Sequence, residues 1–388
     1  MRDTFKMEFM PDGYPGKRTE EGLVAHPMYG AYLLKFYVSR YNDTGDKKFL
    51  DSAIAVAEVS LKKMEKLGEA KVFYFTPNMR LTSYKGKFYS GLVQARWLQA
   101  FSQLAKHEPE YKATAAQMFE GLLIPVDRGG VLKAVAGGQT IEEWPNEIPT
   151  YTLNGWTSIL EIVHDYAKET GSKRAQELFD KNIAALEKLL PLYDVPSVAN
   201  SRYQLAGFVR FKVAGHVKGG TVHIPGEGDF QILMKKGVVW ENHVRSTSRE
   251  TILNVVMNRV SYPKRNEITL HVDKPVDVYI ASGEYSPLAT SLGKERWVHL
   301  GKVSGRLSVP WEKAELVAYP TNFLKKYAGE NYNVYHHMHV SNLRELHRKT
   351  GKPIFLQYAN KWDAYTKRWP SMSVYANEDI KLTPIPGS

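Results

Sequence analysis

Four short segments concentrate the side chains that can hold a carboxylate or move a proton. In Phe88–Trp97, Tyr89, Gln94 and Arg96 supply a phenol, an amide and a guanidinium. That set suits hydroxyl and carboxylate recognition; a charged helix surface around a core tyrosine is the alternative. The second segment runs from Glu142 to Trp156. Glu143 there precedes Trp144, so a carboxylate able to act as base or hydroxyl acceptor adjoins an aromatic face for sugar stacking; a solvated acidic loop is the alternative. Asn154-Gly155 interrupts a helical pattern at a cost in stability, which suggests a positional role. In Asn331–His339, Tyr335 and His336 at a helix start read as a proton donor or acceptor with its hydrogen-bond partner; packed aromatic and histidine side chains are the alternative. His336 and His339 are spaced i, i+3 without the Glu of a helical zinc pair, so no metal site is expected. The fourth segment runs from Leu190-Pro191-Leu192-Tyr193-Asp194 into Asn200-Ser201-Arg202-Tyr203, a helix end followed by an exposed Arg-Tyr.

These groups need a scaffold, and helical periodicity supplies one. Apolar residues recur at i, i+3, i+4 over 27–42, 46–66, 88–106, 110–122, 151–169, 172–190, 336–349 and 353–368. Thr44-Gly45, Thr170-Gly171 and Thr350-Gly351 each separate two such stretches, with glycine available to stop the first helix. Connections that short make each pair antiparallel, and recurring pairs imply stacked units with a shared core. Four pairs favour a closed ring, an α/α barrel, over a capped solenoid. Between about 205 and 325 the pattern becomes short, β-rich and period two, as in Phe208–Val213, Thr221–Ile224, Gln231–Met234, Glu267–Val272, Val276–Ile280 and Trp297–Leu300.

The fold class expected is therefore mainly α with a β insertion: an α/α barrel of about four helical hairpins plus an inserted antiparallel β-sandwich. The divisions are an irregular lead-in at 1–26, barrel at 27–205, inserted sandwich at 206–325, last barrel hairpin at 326–369 and an extended tail at 370–388.

Composition narrows the chemistry. Among 388 residues there are 52 Lys and Arg against 41 Asp and Glu, a formal charge of +11. That favours an anionic partner. Aromatic residues make up 12%, unlike a disordered chain. With no cysteine, disulfides, Cys-ligated zinc, iron–sulfur clusters and thiol nucleophiles are excluded. No phosphate loop, dinucleotide fingerprint or Gly-x-Ser-x-Gly elbow occurs. No apolar run approaches the ~18–20 residues of a membrane span. Met1–Lys6 lacks the apolar core of a signal peptide. As given the chain reads as soluble and cytoplasmic, but a trimmed secreted chain would read the same, so the compartment is left open.

Taken in order, the segments resemble the D-glucuronyl C5-epimerase family, which converts glucuronate to iduronate in heparosan-type chains. Tyr89-Ser90…Gln94 resembles its first motif. Glu142-Glu143-Trp144-Pro145 and Tyr151-Thr152-Leu153-Asn154-Gly155-Trp156 resemble its Glu-Glu-Tyr-Pro and following stretch. Leu190–Asp194, Tyr203–Gly207 and Tyr335-His336…His339…Leu343 resemble the remainder, so the likeness spans 27–205 and 330–369.

The resemblance implies an α/α barrel whose mouth holds a uronic acid within a polymer. It places proton transfer at C5 on Tyr335, Tyr203 and Glu143. Substrate contacts are expected from Tyr89, Gln94, Arg96, Trp144, Asn154, Arg202, His336 and His339, with Arg96, Arg202 and the histidines offering positive charge. Neither metal nor other cofactor is implied. Three positions depart from the family. Trp144 stands where the family has tyrosine, Ala206 where it has arginine, and Arg96 where it has glutamine. Arg96 is the expected replacement for the lost carboxylate clamp. The partner expected is an acidic polysaccharide, not nucleic acid or membrane; a homodimer is left open. The competing readings are a polysaccharide lyase working through the same C5 carbanion and a non-catalytic polysaccharide-binding protein.

Overall fold

The computed structural model describes residues 6–79, 81, 86–135, 137–145, 149–214, 217–224, 228–231, 243–246, 250–258, 265–282, 296–310, 325–372, 375 and 379–386. The chain is helix-rich with small, mostly antiparallel sheets, and it divides into two compact units. One holds residues 1–147 and 158–186; the other holds 148–157 and 187–388.

In the first unit the expected helices form as α1 (Tyr29–Thr44), α2 (Lys47–Lys63), α3 (Gly91–Leu104) and α4 (Lys112–Leu122). Most of α5 (Leu153–Thr170) and α6 (Lys173–Leu189) follow. α1 pairs with α2 and α3 with α4, and α1 also packs on α3. The core is strongly aromatic. Phe73, Trp97, Phe101 and Tyr111 stack in sequence at 6.4, 5.6 and 5.9 Å. Ser90 caps α3, its hydroxyl accepting the Val93 N–H at 3.4 Å.

The N-terminal stretch is a correction. It was expected to be irregular, but β1 (Met7–Phe9), β2 (Pro15–Thr19) and β3 (Gly22–Ala25) form a three-stranded antiparallel sheet. Strands of three to five residues are too short to display an alternation, so only the Gly and Pro of their turns were visible. Two further hairpins, β4 (Glu65–Leu67) with β5 (Ala70–Val72) and β6 (Leu132–Val135) with β7 (Gly138–Ile141), escaped notice for the same reason.

In the second unit, β8 (Asp194–Val195) and β9 (Asn200–Ser201) form a short ladder. Among the described residues nine further strands follow: β10 (Ala206–Ala214), β11 (Gly219–Ile224), β12 (Gly228–Gln231), β13 (His243–Ser246), β14 (Glu250–Asn258), β15 (Arg265–His271), β16 (Val276–Ser282), β17 (Arg296–Val303) and β18 (Arg306–Pro310). They make a five-stranded sheet, β13-β14-β10-β16-β17, and a four-stranded sheet, β12-β11-β15-β18. Ile232–Met234 of one expected strand lies outside the described residues. β13, β14 and β18 were not anticipated. β19 (Lys325–Tyr327), β20 (Glu330–Tyr332) and, from the tail, β21 (Ile380–Lys381) form a last small sheet. Between β20 and β21 run α7 (Val334–Thr350) and α8 (Pro353–Thr366), the fourth hairpin.

The three Thr-Gly turns share one construction. Gly45, Gly171 and Gly351 have φ of 69°, 67° and 69°. Their N–H groups donate to the carbonyls of Tyr41, Ala167 and His347 at 2.8, 2.9 and 2.7 Å. The preceding Thr hydroxyl donates to the carbonyl four residues back, at 2.7, 2.7 and 2.6 Å. It also accepts the N–H two residues on. Left-handed backbone favours glycine, and the threonine satisfies a terminal carbonyl of the finished helix.

Candidate active site

The candidate residues fall into two clusters, one in each unit. In the first unit, the β7–loop connection delivers Glu142, Glu143 and Trp144 beside α3. Glu142 is buried and accepts the Thr140 hydroxyl at 3.4 Å. Glu143 is half-buried with its Oε2 closed to solvent and, among the described residues, without a hydrogen-bond donor. Burial, reinforced by the neighbouring Glu142 charge, pushes the Glu143 carboxyl up to about 7. A carboxyl poised there can give or take a proton at neutral pH.

Trp144 lies over an aromatic floor, 5.4 Å from Phe88 and 5.9 Å from Phe75. Phe75 and Phe88 are themselves stacked at 5.1 Å and bridged through their backbones. Arg96 projects from α3 towards α1. Its Nη1 donates to Gln99 Oε1 at 3.3 Å, and it is hydrogen-bonded to the Tyr32 phenol. Burial raises Tyr32 above the ordinary tyrosine value; Arg96 opposes that and the Glu143 charge adds to it. Sequence inspection missed Tyr32. It lies in helix α1, far along the chain from Arg96 and Glu143, and only the α1–α3 packing joins them.

Two expected substrate contacts in this unit are framework instead. Tyr89 is fully buried and its hydroxyl donates to the Gly121 carbonyl at 2.7 Å. Gln94, also buried, gives its amide N–H groups to the carbonyls of Lys71 and Met118 at 2.8 and 2.9 Å. A Cβ on Gly121 would stand 2.5 Å from Gln94 Nε2, so α4 fits against that amide only through glycine. Both side chains are spent holding α3 and α4 together.

In the second unit, the rings of Tyr203 and Tyr335 lie 4.8 Å apart, both half-buried. They come from the β9 loop and the first turn of α7, distant in sequence. The fastening between them is Ser201. Its hydroxyl is 3.0 Å from His336 Nδ1 and 2.9 Å from His339 Nδ1. The other His336 nitrogen is 2.8 Å from the Trp362 carbonyl, which can only accept, so Nε2 carries the proton and Nδ1 is bare. The Ser201 N–H donates to that bare nitrogen at 3.3 Å. Asn333 caps α7 by accepting the His336 N–H and gives its amide to Asn200 Oδ1, both at 3.3 Å.

His336 and His339 are therefore a second correction. Both are fully buried, and burial drives His336 down to about 3 and His339 well below its ordinary value. They are neutral and cannot supply the positive charge expected of them. Their work is to hold the loop bearing Tyr203 against the helix bearing Tyr335. Arg202, expected to be exposed, is 1% exposed. Its N–H donates to the Tyr193 carbonyl at 2.7 Å, and the Tyr193 hydroxyl reaches the Tyr151 carbonyl at 2.6 Å. Asp194 accepts from Trp362 and Tyr365 at 2.9 Å each and pairs with Lys361 at 2.6 Å. The Leu190–Asp194 segment is thus a clamp on α8.

Asn154 lies in the first turn of α5, with Oδ1 closed to solvent and no donor to it among the described residues. The loop before it is stitched to Tyr203 by backbone bonds, Leu153 N–H to Tyr203 O at 2.8 Å and Leu205 N–H to Thr150 O at 2.9 Å. Among the described residues, no group of three or more His, Asp or Glu is placed to hold a metal ion, and no helix is long and apolar enough to cross a membrane.

Residues 72–225 match the family described as D-glucuronyl C5-epimerase C-terminus. A D-glucuronyl C5-epimerase of Caenorhabditis elegans is 29% identical over 124 residues, 28% of this chain and 20% of that protein. An uncharacterized protein of Methanocaldococcus jannaschii is 29% identical over 75 residues, covering 18% and 24%. The matched parts thus span about a fifth to a quarter of these curated relatives. Among solved structures, the GH76A alpha-1,6-mannanase of a Salegentibacter species is 10% identical with a TM-score of 0.39, covering 96% of this chain and 87% of its own. Cellobiose 2-epimerase of Bacillus thermoamylovorans is 10% identical with a TM-score of 0.36, covering 52% and 54%. Likenesses that weak carry no argument about the site. Residues 72–225, which include Glu143, Trp144, Asn154, Arg202 and Tyr203, are thus similar to the C-terminal part of D-glucuronyl C5-epimerases.

Proposed function

We propose that the chain is a carbohydrate epimerase that inverts C5 of D-glucuronate residues within an acidic polysaccharide. The C5–H proton lies α to a carboxylate and is a poor acid. A base removes it, and the C–H electron pair flows into the carboxylate to give an enediolate-like state. A proton delivered to the opposite ring face then collapses that state to the epimer. Tyr335, Tyr203 and Glu143 are the proposed proton-transfer groups, Arg96 the carboxylate clamp, Trp144 the stacking surface and Asn154 and Arg202 the further polar contacts. The chemistry so written calls for no cofactor. The α/α barrel and the inserted β-sandwich belong to the same proposal.

The observation that supports this most is the Tyr203–Tyr335 pair at 4.8 Å, two phenols from separate elements held together by buried hydrogen bonds. The family match and the poised Glu143 carboxyl support it further. The test is incubation with a glucuronate polymer in deuterated water. Deuterium at C5 in both epimers is the expected result. An unsaturated uronate product would make the chain a lyase, and binding without either signal would make it a binding protein.

A further inference from the structure

Lys35 and Arg96 present an electrostatic anomaly in the first unit. Lys35 Nζ donates to Gln99 Oε1 at 3.2 Å, and Arg96 Nη1 donates to the same oxygen at 3.3 Å. Two half-buried cations thus converge on one neutral amide oxygen. Neither has a carboxylate partner among the described residues, in a chain with many exposed Lys and Arg pairs elsewhere. Arg96 Nε is closed to solvent and has no acceptor there. Burial and the adjacent Arg96 charge both push the Lys35 ammonium down. Like charges gathered out of water cost stability unless an anion joins them. Tyr32, one turn before Lys35 on α1, is hydrogen-bonded to the guanidinium and braces it.

We propose that Lys35 and Arg96 form a two-cation subsite for the carboxylate of the reacting uronate, matched in charge to the enediolate. This rests on the epimerase function proposed above. A resting uronate carboxylate carries one negative charge. When the C5 proton leaves with its electron pair flowing into the carboxylate, the oxygens come to share a second. Two fixed cations meet the doubly charged state without rearranging, and interactions stronger there than in the ground state raise kcat rather than lower KM. Lys35 is then a catalytic residue that neither its sequence context nor the Arg96 clamp alone would reveal.

The experiment measures kcat and KM for C5 deuterium incorporation into heparosan by the full chain and by Lys35→Gln, Lys35→Arg and Arg96→Gln. Lys35→Gln is expected to lose ~10²-fold in kcat with KM within a few-fold, the size typical of one lost transition-state donor. Lys35→Arg should recover most of that rate. The Lys35→Gln thermal midpoint should equal or exceed that of the unaltered chain, since like-charge repulsion is relieved. Unchanged kcat in Lys35→Gln, a rise in KM alone, or a lowered midpoint that Lys35→Arg restores without restoring rate would each overturn the subsite. Absence of deuterium incorporation by the unaltered chain would instead overturn the epimerase proposal on which it rests.

Discussion

Replacing Ser201 with alanine removes the hydroxyl that meets His336 Nδ1 at 3.0 Å and His339 Nδ1 at 2.9 Å. Both imidazoles are fully buried, so water cannot take the hydroxyl's place without opening the structure. His339 Nδ1 would be left with no partner among the described residues. His336 Nδ1 would keep only the Ser201 N–H at 3.3 Å. One orphaned and one weakened buried nitrogen together cost about 2–4 kcal/mol. Urea unfolding of Ser201→Ala, alone and combined with His339→Leu, reads that cost. In the His339→Leu background the same substitution should cost about 1 kcal/mol or less, because one nitrogen is already gone. A Ser201→Ala cost below about 0.5 kcal/mol, or one unchanged by His339→Leu, would refute the claim that this hydroxyl fastens the tyrosine loop to α7.

Two other outcomes follow from the geometry. Glu143 holds its proton up to about pH 7 when folded, against 4.5 for an ordinary glutamate. The folded chain therefore binds more protons across that window, and stability falls as pH rises from about 4.5 to 7. Glu143→Gln should match the unaltered chain at pH 4 and exceed it at pH 8, by roughly 3 kcal/mol at most. Equal urea midpoints at both pH values would contradict this. Alanine at Gly45, Gly171 or Gly351 should cost about 1–2 kcal/mol each in thermal unfolding, from backbone strain alone. Nothing lies within 4 Å of an added Cβ at any of the three, so a much larger loss would point to another cause.

Much of the scaffold was legible in the sequence because it repeats. Thr44-Gly45, Thr170-Gly171 and Thr350-Gly351 are recognisable as helix stops, and each proves to use the same backbone and hydroxyl bonds. Short strands such as Met7–Phe9 were not legible, since pairing, not pattern, defines them. At the candidate site, residue type singled out Tyr335 and Glu143, the resemblance added Tyr203, and the bonding of the neighbouring side chains was not legible. Tyr89, Gln94, His336 and His339 carry chemically versatile groups, and only the fold reveals those groups already bound to backbone carbonyls or to Ser201. Tyr32 and Lys35 gave no signal, because a helix face acquires meaning only from what packs opposite it.

The claim that Tyr335 exchanges a proton with C5 is tested most directly by Tyr335→Phe in deuterated water. Loss of C5 deuterium incorporation into a glucuronate polymer, with polymer affinity within a few-fold of the unaltered chain, is the predicted result. Incorporation at the unaltered rate would contradict it.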